Sequence, residues 1–332
     1  MRMKKFINDP RRIVPELLEG LALAFPDKVR LAGEGIVARA KGKAADKVRI
    51  VTLGGSGHEP GLSGFVGEGM LDYSVAGEIF AAPGAPKVVE ALRQACAGAA
   101  RALLVVLNHA GDVLTANIAM QTAAREGLAV KMVLTREDIS GGPNPDDRRG
   151  LVGFLPVYKV AGAAAEQGAS LDKCLEIAER MQLNMRTLAV AVRTATHPAT
   201  GHPIFDLGED EMEIGMGQHG EAGTGRMQLK SADATATIML QMLLDDLAVS
   251  AGEELLVVIN GAGATTLMEL LLIFRRVAQI LKEKGITLAR SAIGEFITTQ
   301  EQAGFQMMIA RLDEELIRLW DAPCNTPFYN RI

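Results

Sequence analysis

Cysteine is scarce in this chain and poorly placed for chemistry. Cys96, Cys174 and Cys324 are far apart, odd in number and outside any CxxC or CxxH setting, so neither a disulfide framework nor a thiolate zinc site is expected. Long apolar runs are also missing. No stretch approaches the ~20 consecutive apolar residues of a membrane span, and the opening MRMKKFINDP turns polar before a signal-peptide core could form. The expectation is a cytoplasmic protein that makes no membrane contact. No long Lys/Arg cluster stands out either, and the formal charge is −5, which argues against a nucleic-acid partner.

With 332 residues, 48% of them hydrophobic, the chain can bury a substantial core and is long enough for two domains. VRIVTL (48–53), ALLVVL (102–107) and AVKMVL (129–134) read as short buried strands. They alternate with segments of helical spacing such as APKVVEALRQACAGAA and ANIAMQTAAREG. Two further helices are predicted within 154–168 and 170–183, separated at Gly168-Ala169-Ser170. The pattern then restarts with strands at 187–192, 211–217, 254–260 and 305–312 and helices over 232–247 and 265–284. The fold class expected is α/β: two α/β domains, 1–185 and 186–332, each a mostly parallel or mixed sheet flanked by helices, with the site in loops at the carboxyl edge of strands. The polar ISGGPNPDDRRG (139–150) reads as an excursion within the first domain.

GGSGHEP (54–60) follows the first of these strands, where α/β proteins commonly hold phosphate. A P-loop needs lysine and then Ser or Thr after its last glycine, but His58-Glu59 stand there. The dinucleotide fingerprint needs a glycine where this chain has Pro60. What remains is a turn whose missing Cβ atoms admit a small ligand to the backbone, with Pro60 suited to the first turn of a helix. His58 either faces that ligand or merely caps the turn. GMGQHGEAGTG (215–225) again sets a histidine and a glutamate among glycines, at His219 and Glu221. In LNHAGDVLTAN (107–117), Asp112 reads equally as a cleft carboxylate or as a helix N-cap. With no HExxH or HxH pair, no metal site is expected.

Taken in order, GGSGHEP, GFVGEGML, GEIF, NHAGD, KVAGAAAEQGASL, DEMEIGMGQHGE, NGAGATTLMEL and LWDAP resemble the dihydroxyacetone kinase family in its DhaK-type, dihydroxyacetone-binding subunit. The similarity runs over essentially the whole chain. The resemblance implies that His219 attacks the ketone carbonyl and holds the substrate as a covalent hemiaminal. That attack needs a neutral ring, the main form in the cytoplasm of an imidazole with the ordinary pKa of ~6.5. It also implies an acid/base pair at His58 and Asp112, a substrate contact at the Gly55 backbone, and pocket positions at Gly54, Ala82, His109 and Gly217. The three loops would then have to meet around one cavity.

The chain departs from the family pattern in four places. Leu107 stands for a lysine and His109 for a tyrosine in the KNYTGD-like segment, Ala82 for a serine, and Ala222 for a proline. Losing the serine hydroxyl removes one neutral hydrogen bond, worth ~0.5–1.5 kcal/mol, which makes a different small ketose such as a tetrulose a second candidate. No nucleotide motif is present, and the chain ends soon after LWDAP. The resemblance therefore implies that ADP or ATP with Mg sits on a separate L-type subunit, in some systems recharged by an M-type phosphotransferase subunit, and that this chain binds no cofactor and forms a homodimer. The rival reading is a non-catalytic, dihydroxyacetone-sensing coactivator.

Overall fold

The computed structural model describes residues 4–332 apart from 99, 222 and 224. Helix α1 (Ile13–Ala24) precedes the antiparallel pair β1 (Val29–Gly33) and β2 (Ile36–Arg39). Next come β3 (Val48–Ser56), β4 (Tyr73–Ile79), α2 (Ala85–Ala95), β5 (Arg101–Leu107), α3 (Ala110–Arg125) and β6 (Val130–Thr135). These six strands form one mixed sheet in the order β1-β2-β4-β3-β5-β6, parallel from β4 to β6. Apolar side chains on one face, among them Val51, Leu53, Leu104 and Val106, pack against Val88, Leu92 and Ala119 of α2 and α3. β3 and β5 read as nearly continuous apolar runs because helices cover both of their faces.

Helix α4 (Phe154–Glu166) follows and is buried along almost its whole length. α5 (Leu171–Leu183) starts after the expected break, with the Ser170 hydroxyl accepting the Lys173 N–H at 3.2 Å. The second sheet comprises β7 (Met185–Arg193), β8 (Glu211–Ile214), β9 (Gly225–Gln228), β10 (Glu254–Gly261), β11 (Thr287–Gly294) and β12 (Ala303–Arg311), ordered β11-β10-β12-β7-β8-β9. Only β10–β11 is parallel. β8 ends three residues short of the expected strand. Between these strands lie α6 (Ala232–Leu247), capped by Ser231, and α7 (Leu267–Glu283), opened by a Thr266/Glu269 capping box. α6 buries Met239 and four leucines on this sheet, and α7 buries Leu270, Ile273, Val277, Ile280 and Leu281. α8 (Glu314–Asp321) and the short strands β13 (Cys324–Asn325) and β14 (Asn330–Arg331) complete the chain.

The chain forms two compact units, and neither is a continuous stretch. The N-terminal unit comprises Lys4–Thr135, Phe154–Met181 and Leu316–Ile332, and the other comprises Arg136–Gly153 and Gln182–Glu315. This differs from a single cut at 185 in two ways. The 139–150 segment belongs with the second unit, because Glu137 O accepts the Thr187 N–H at 2.8 Å, the Gln306 side chain accepts the Val152 N–H at 2.9 Å, and Arg148 pairs with Asp246. The final residues belong with the first unit: Glu68 and Asn325 exchange backbone bonds at 3.1 and 2.8 Å, and the buried Lys159 ammonium donates to Leu319 O at 2.9 Å. Among the described residues no helix is long and apolar enough to cross a membrane.

Glu137 is fully buried in the second unit. One carboxylate oxygen accepts the N–H groups of Leu151 and Gly153 at 2.6 and 2.9 Å. Burial outweighs those bonds and pushes its pKa from 4.5 up to about 7. A raised carboxyl pKa favours the folded state while the group is protonated. The contribution is therefore complete below about 4.5 and is lost as pH rises through about 7. Glu137→Gln should flatten the dependence of unfolding free energy on pH in that window, read by urea titration at pH 4.5, 6 and 8; an unchanged slope would contradict the assignment.

Candidate active-site loops

In the N-terminal unit the parallel strands β3, β4 and β5 deliver their following loops to one edge of the sheet. β3 runs into Gly54-Gly55-Ser56, and the segment after β4 folds tightly against it. Phe80 N–H donates to Ser56 O at 2.8 Å, and the Ser56 hydroxyl donates to Gly77 O at 2.8 Å. A Cβ on Gly55 would lie 2.8 Å from Ala81 N, and one on Gly77 only 2.0 Å from Ala81 O. Glycine at these two positions is a packing requirement. His58 is buried, with its ring tilted on that of Phe80 at a centroid distance of 5.1 Å.

The 80–83 segment also meets the start of α3. The Thr115 hydroxyl donates to Pro83 O at 3.0 Å, and Gly111 lies against the Ala82 methyl. Gly54, Gly55, His58, Ala82, His109 and Asp112 thus belong to three loops held together by residues 77–83. His109 is the N-cap of α3 by backbone geometry, and its side chain makes no cap bond. Asp112 sits in the first turn, so the N-cap alternative for this carboxylate is set aside. Asp112 is buried, and its negative charge is favoured by the positive end of the helix dipole. Burial pushes the Tyr158 phenol up, with the Asp112 charge adding to that effect, and Tyr158 shares a 2.6 Å hydrogen bond with Thr52 of β3. Pro60 opens no α-helix; the chain makes only a short turn, with Gly64 N–H donating to Pro60 O at 2.9 Å. Behind the glycine turn an apolar cavity of about 380 Å³ lies between α1, Leu62 and Phe328, and neither His58 nor Asp112 lines it.

In the second unit the loop after β8 carries Gly217 and His219. His219 is half-buried, and Glu221 binds it twice: one carboxylate oxygen accepts the His219 N–H at 2.9 Å, and the other lies 3.1 Å from the ring Nδ1. Burial would raise the Glu221 pKa, but the His219 ring and the backbone N–H groups hold it well below the usual carboxylate range. An ionised carboxylate only accepts, so Nδ1 carries the proton and, in the neutral ring, the lone pair falls on Nε2. The Glu221 carboxylate is steadied in turn by Arg149, whose Nε donates to the buried Asp138 at 2.8 Å and whose Nη2 donates to Gly215 O at 2.8 Å. A Cβ on Gly217 would meet Glu221 Oε2 at 2.1 Å and Arg149 Nη1 at 2.3 Å, so this glycine admits the carboxylate and guanidinium.

No motif in the sequence assigns a role to Glu221, Arg149 or Asp138. The His-x-Glu spacing at 219–221 was the available signal for the first; the other two lie in the 139–150 region and its flank, where no local pattern points to residue 219. Leu107 is buried at the end of β5, and the substitution at Ala222 lies outside the described residues.

A Dak1 domain model matches residues 19–328. The chain is 36% identical to "PTS-dependent dihydroxyacetone kinase 2, dihydroxyacetone-binding subunit DhaK" of Listeria innocua serovar 6a, over 98% of this chain and 99% of that protein. It is also 36% identical to an L-erythrulose kinase of Pectobacterium atrosepticum, over 99% of this chain but 56% of that protein. Among solved structures, the dihydroxyacetone kinase operon co-activator Dha-DhaQ superposes with a TM-score of 0.91 at 27% identity, covering 96% of this chain and 99% of that one.

Two measurements test the loop geometry. Gly55→Ala should lower unfolding free energy by about 1–3 kcal/mol through overpacking, whereas Gly111→Ala, whose Cβ meets only the Ala82 methyl at 3.4 Å, should be close to neutral. Equal losses in chemical denaturation would refute the packing argument. In ¹⁵N NMR the neutral His219 ring should show Nδ1 protonated in the native protein and shift toward the Nε2–H form in Glu221→Ala; an Nε2–H ring in the native protein would overturn the tautomer assignment.

Proposed function

The chain belongs to the Dak1 family, and from that premise we propose that it is the ketose-binding subunit of a kinase, holding dihydroxyacetone on His219 for phosphorylation by a donor carried on a separate subunit. The observation that carries the reading is the Glu221 hydrogen bond, which leaves the His219 lone pair on Nε2. Nε2 attacks the carbonyl carbon, the C=O π pair moves to oxygen, and the ring becomes cationic. Glu221 stabilises that charge, and the Nδ1 proton is given up as the alkoxide gains one, leaving a neutral hemiaminal. A polyol such as glycerol has no electrophilic carbon and escapes capture.

Asp112 then takes the proton of the terminal hydroxyl as that oxygen attacks the incoming phosphoryl group, and His58 assists by polarising the substrate. The Gly55 backbone, Gly54, Gly217 and His109 border the substrate, and Ala82 leaves one hydroxyl without the serine partner seen in the family pattern. On this reading the chain binds no cofactor. An L-type subunit brings ADP or ATP with Mg, with an M-type phosphotransferase subunit where phosphoenolpyruvate is the ultimate donor; the relatives named as PTS-dependent or PEP-dependent dihydroxyacetone kinase subunits support such a route. The chain would work in the cytoplasm as a homodimer, within glycerol metabolism.

A second reading has specific support. The L-erythrulose and D-erythrulose kinases among the relatives, together with Ala82, favour a tetrulose as the competing substrate. The resemblance to the co-activator supports a sensor that captures the ketone without transferring phosphate.

Assay with the cognate L-type subunit, supplied with ATP or with a phosphorylated M-type partner, separates these readings. Asp112→Asn should lower turnover by roughly 10²–10⁴-fold while ketone binding persists, and His219→Ala should abolish the covalent adduct in electron density and intact-protein mass spectra. Tight capture with no phosphate transferred from any cognate donor would leave only the sensor. An intact ketone at noncovalent distance from His219 would end the hemiaminal mechanism.

A further inference from the structure

From the end of β2 to the start of β3 the sequence carries Arg39, Lys41, Lys43, Lys47 and Arg49, five cations interspersed with small residues in a chain of charge −5. In the N-terminal unit this segment borders a cavity of about 170 Å³ walled by Arg30, Arg39, Lys43, Arg49, Asp72 and Tyr73. Two of the four cations are neutralised locally. Lys43 donates to Asp72 at 2.8 Å and Arg39 at 3.2 Å, and both also lie against Glu166.

The other two are not neutralised. Arg49 donates to the carbonyls of Lys43, Ala44 and Lys47 at 2.8, 2.9 and 2.6 Å, which shape the loop but carry no charge. Arg30 is exposed on β1, and its side chain makes no hydrogen bond or ion pair among the described residues. The Tyr73 hydroxyl likewise has no hydrogen-bond partner among them. Burial pushes this phenol up, against the opposing charges of Arg30 and Arg49, so it stays an O–H donor at neutral pH.

Tyr73 opens β4 and Arg49 lies near the start of the parallel β3. The cavity is therefore at the amino edge of the sheet, opposite the edge that carries Gly55 and His58. We propose that it is a binding site for a phosphate group, either the free anion or a small monoester, held by Arg30 and Arg49 with a hydrogen bond from Tyr73. Two uncompensated positive charges match a dianion, guanidinium forks suit tetrahedral oxyanions, and the cavity is too small for a nucleotide. The site is independent of the ketose chemistry and would operate whether the chain is a kinase subunit or a sensor.

Titrating the full chain with inorganic phosphate at low ionic strength, by calorimetry and ³¹P NMR, should give saturable one-to-one binding. Arg30→Glu should weaken it by at least about tenfold, and Tyr73→Phe by a smaller factor. Because Arg30 is exposed and forms no structural bond, its variant should melt at the native temperature. Methyl phosphate distinguishes the sources: binding as tight as that of the free anion assigns a monoester site, and binding of inorganic phosphate alone assigns a free-anion site, both supporting the proposal. Absence of saturation, or unchanged affinity in a folded Arg30→Glu protein, would overturn it.

Discussion

In the N-terminal unit the arrangement of the candidate loops depends on how closely residues 77–83 approach the glycine turn. The approach is set by backbone against backbone: at Gly55 and Gly77 the volume of a Cβ is already occupied by Ala81. Interiors at this density cannot absorb an added methyl without displacing the chain. The same short segment supplies Phe80 as the surface on which His58 rests and reaches the first turn of α3, where Asp112 sits. A change in this segment is therefore felt by both proposed members of the acid/base pair, although neither belongs to it.

The second unit solves a different problem. On the proposed mechanism a histidine is held in one tautomer, and a single neighbouring carboxylate does this if it is itself kept ionised. Glu221 is kept so by the His219 ring and the backbone N–H groups it accepts from, while Arg149 lies 3.9 Å away and is itself fixed by a buried aspartate. The resulting order, Asp138 to Arg149 to Glu221 to His219, links a distant part of the sequence to the proposed nucleophile through hydrogen bonds at its two ends and an ion pair between them. Arg149→Lys would keep the charge but lose the fork that reaches Asp138 and the Gly215 carbonyl together.

What the sequence made legible follows from local periodicity. β3, β5, β6, β10 and β12, with α6 and α7, were readable because short apolar runs and helical spacing dominate them. β4, YSVAGEI, has a glycine inside it, and β11, TLARSAIG, is a partly exposed edge strand with an arginine at its centre; neither carries a clean pattern. α1 was obscured by Pro15 and Gly20. The second sheet is mixed, within the expected mostly parallel or mixed class, but which of its strands run antiparallel is not legible, because a strand's sequence says little about its neighbours' direction. His58, Asp112 and His219 stood out as rare residues among glycines, whereas the support from Asp138 and Arg149 exists only through contacts with residues far along the chain.

The return of residues 316–332 to the N-terminal unit has a consequence for biosynthesis. Phe328 N–H donates to Gly64 O, Lys28 donates to Thr326 O, and Trp320 is fully buried, so the first sheet's surroundings are finished by residues made after the whole of the second unit. During translation the second unit, whose residues end at Glu315, has its complete chain before the first does. The order of completion on the ribosome is thus the reverse of the order of synthesis, and the nascent N-terminal half must wait with its Gly64–Gly69 surface uncovered. Surface left uncovered in this way raises the demand for chaperones until residues 316–332 dock.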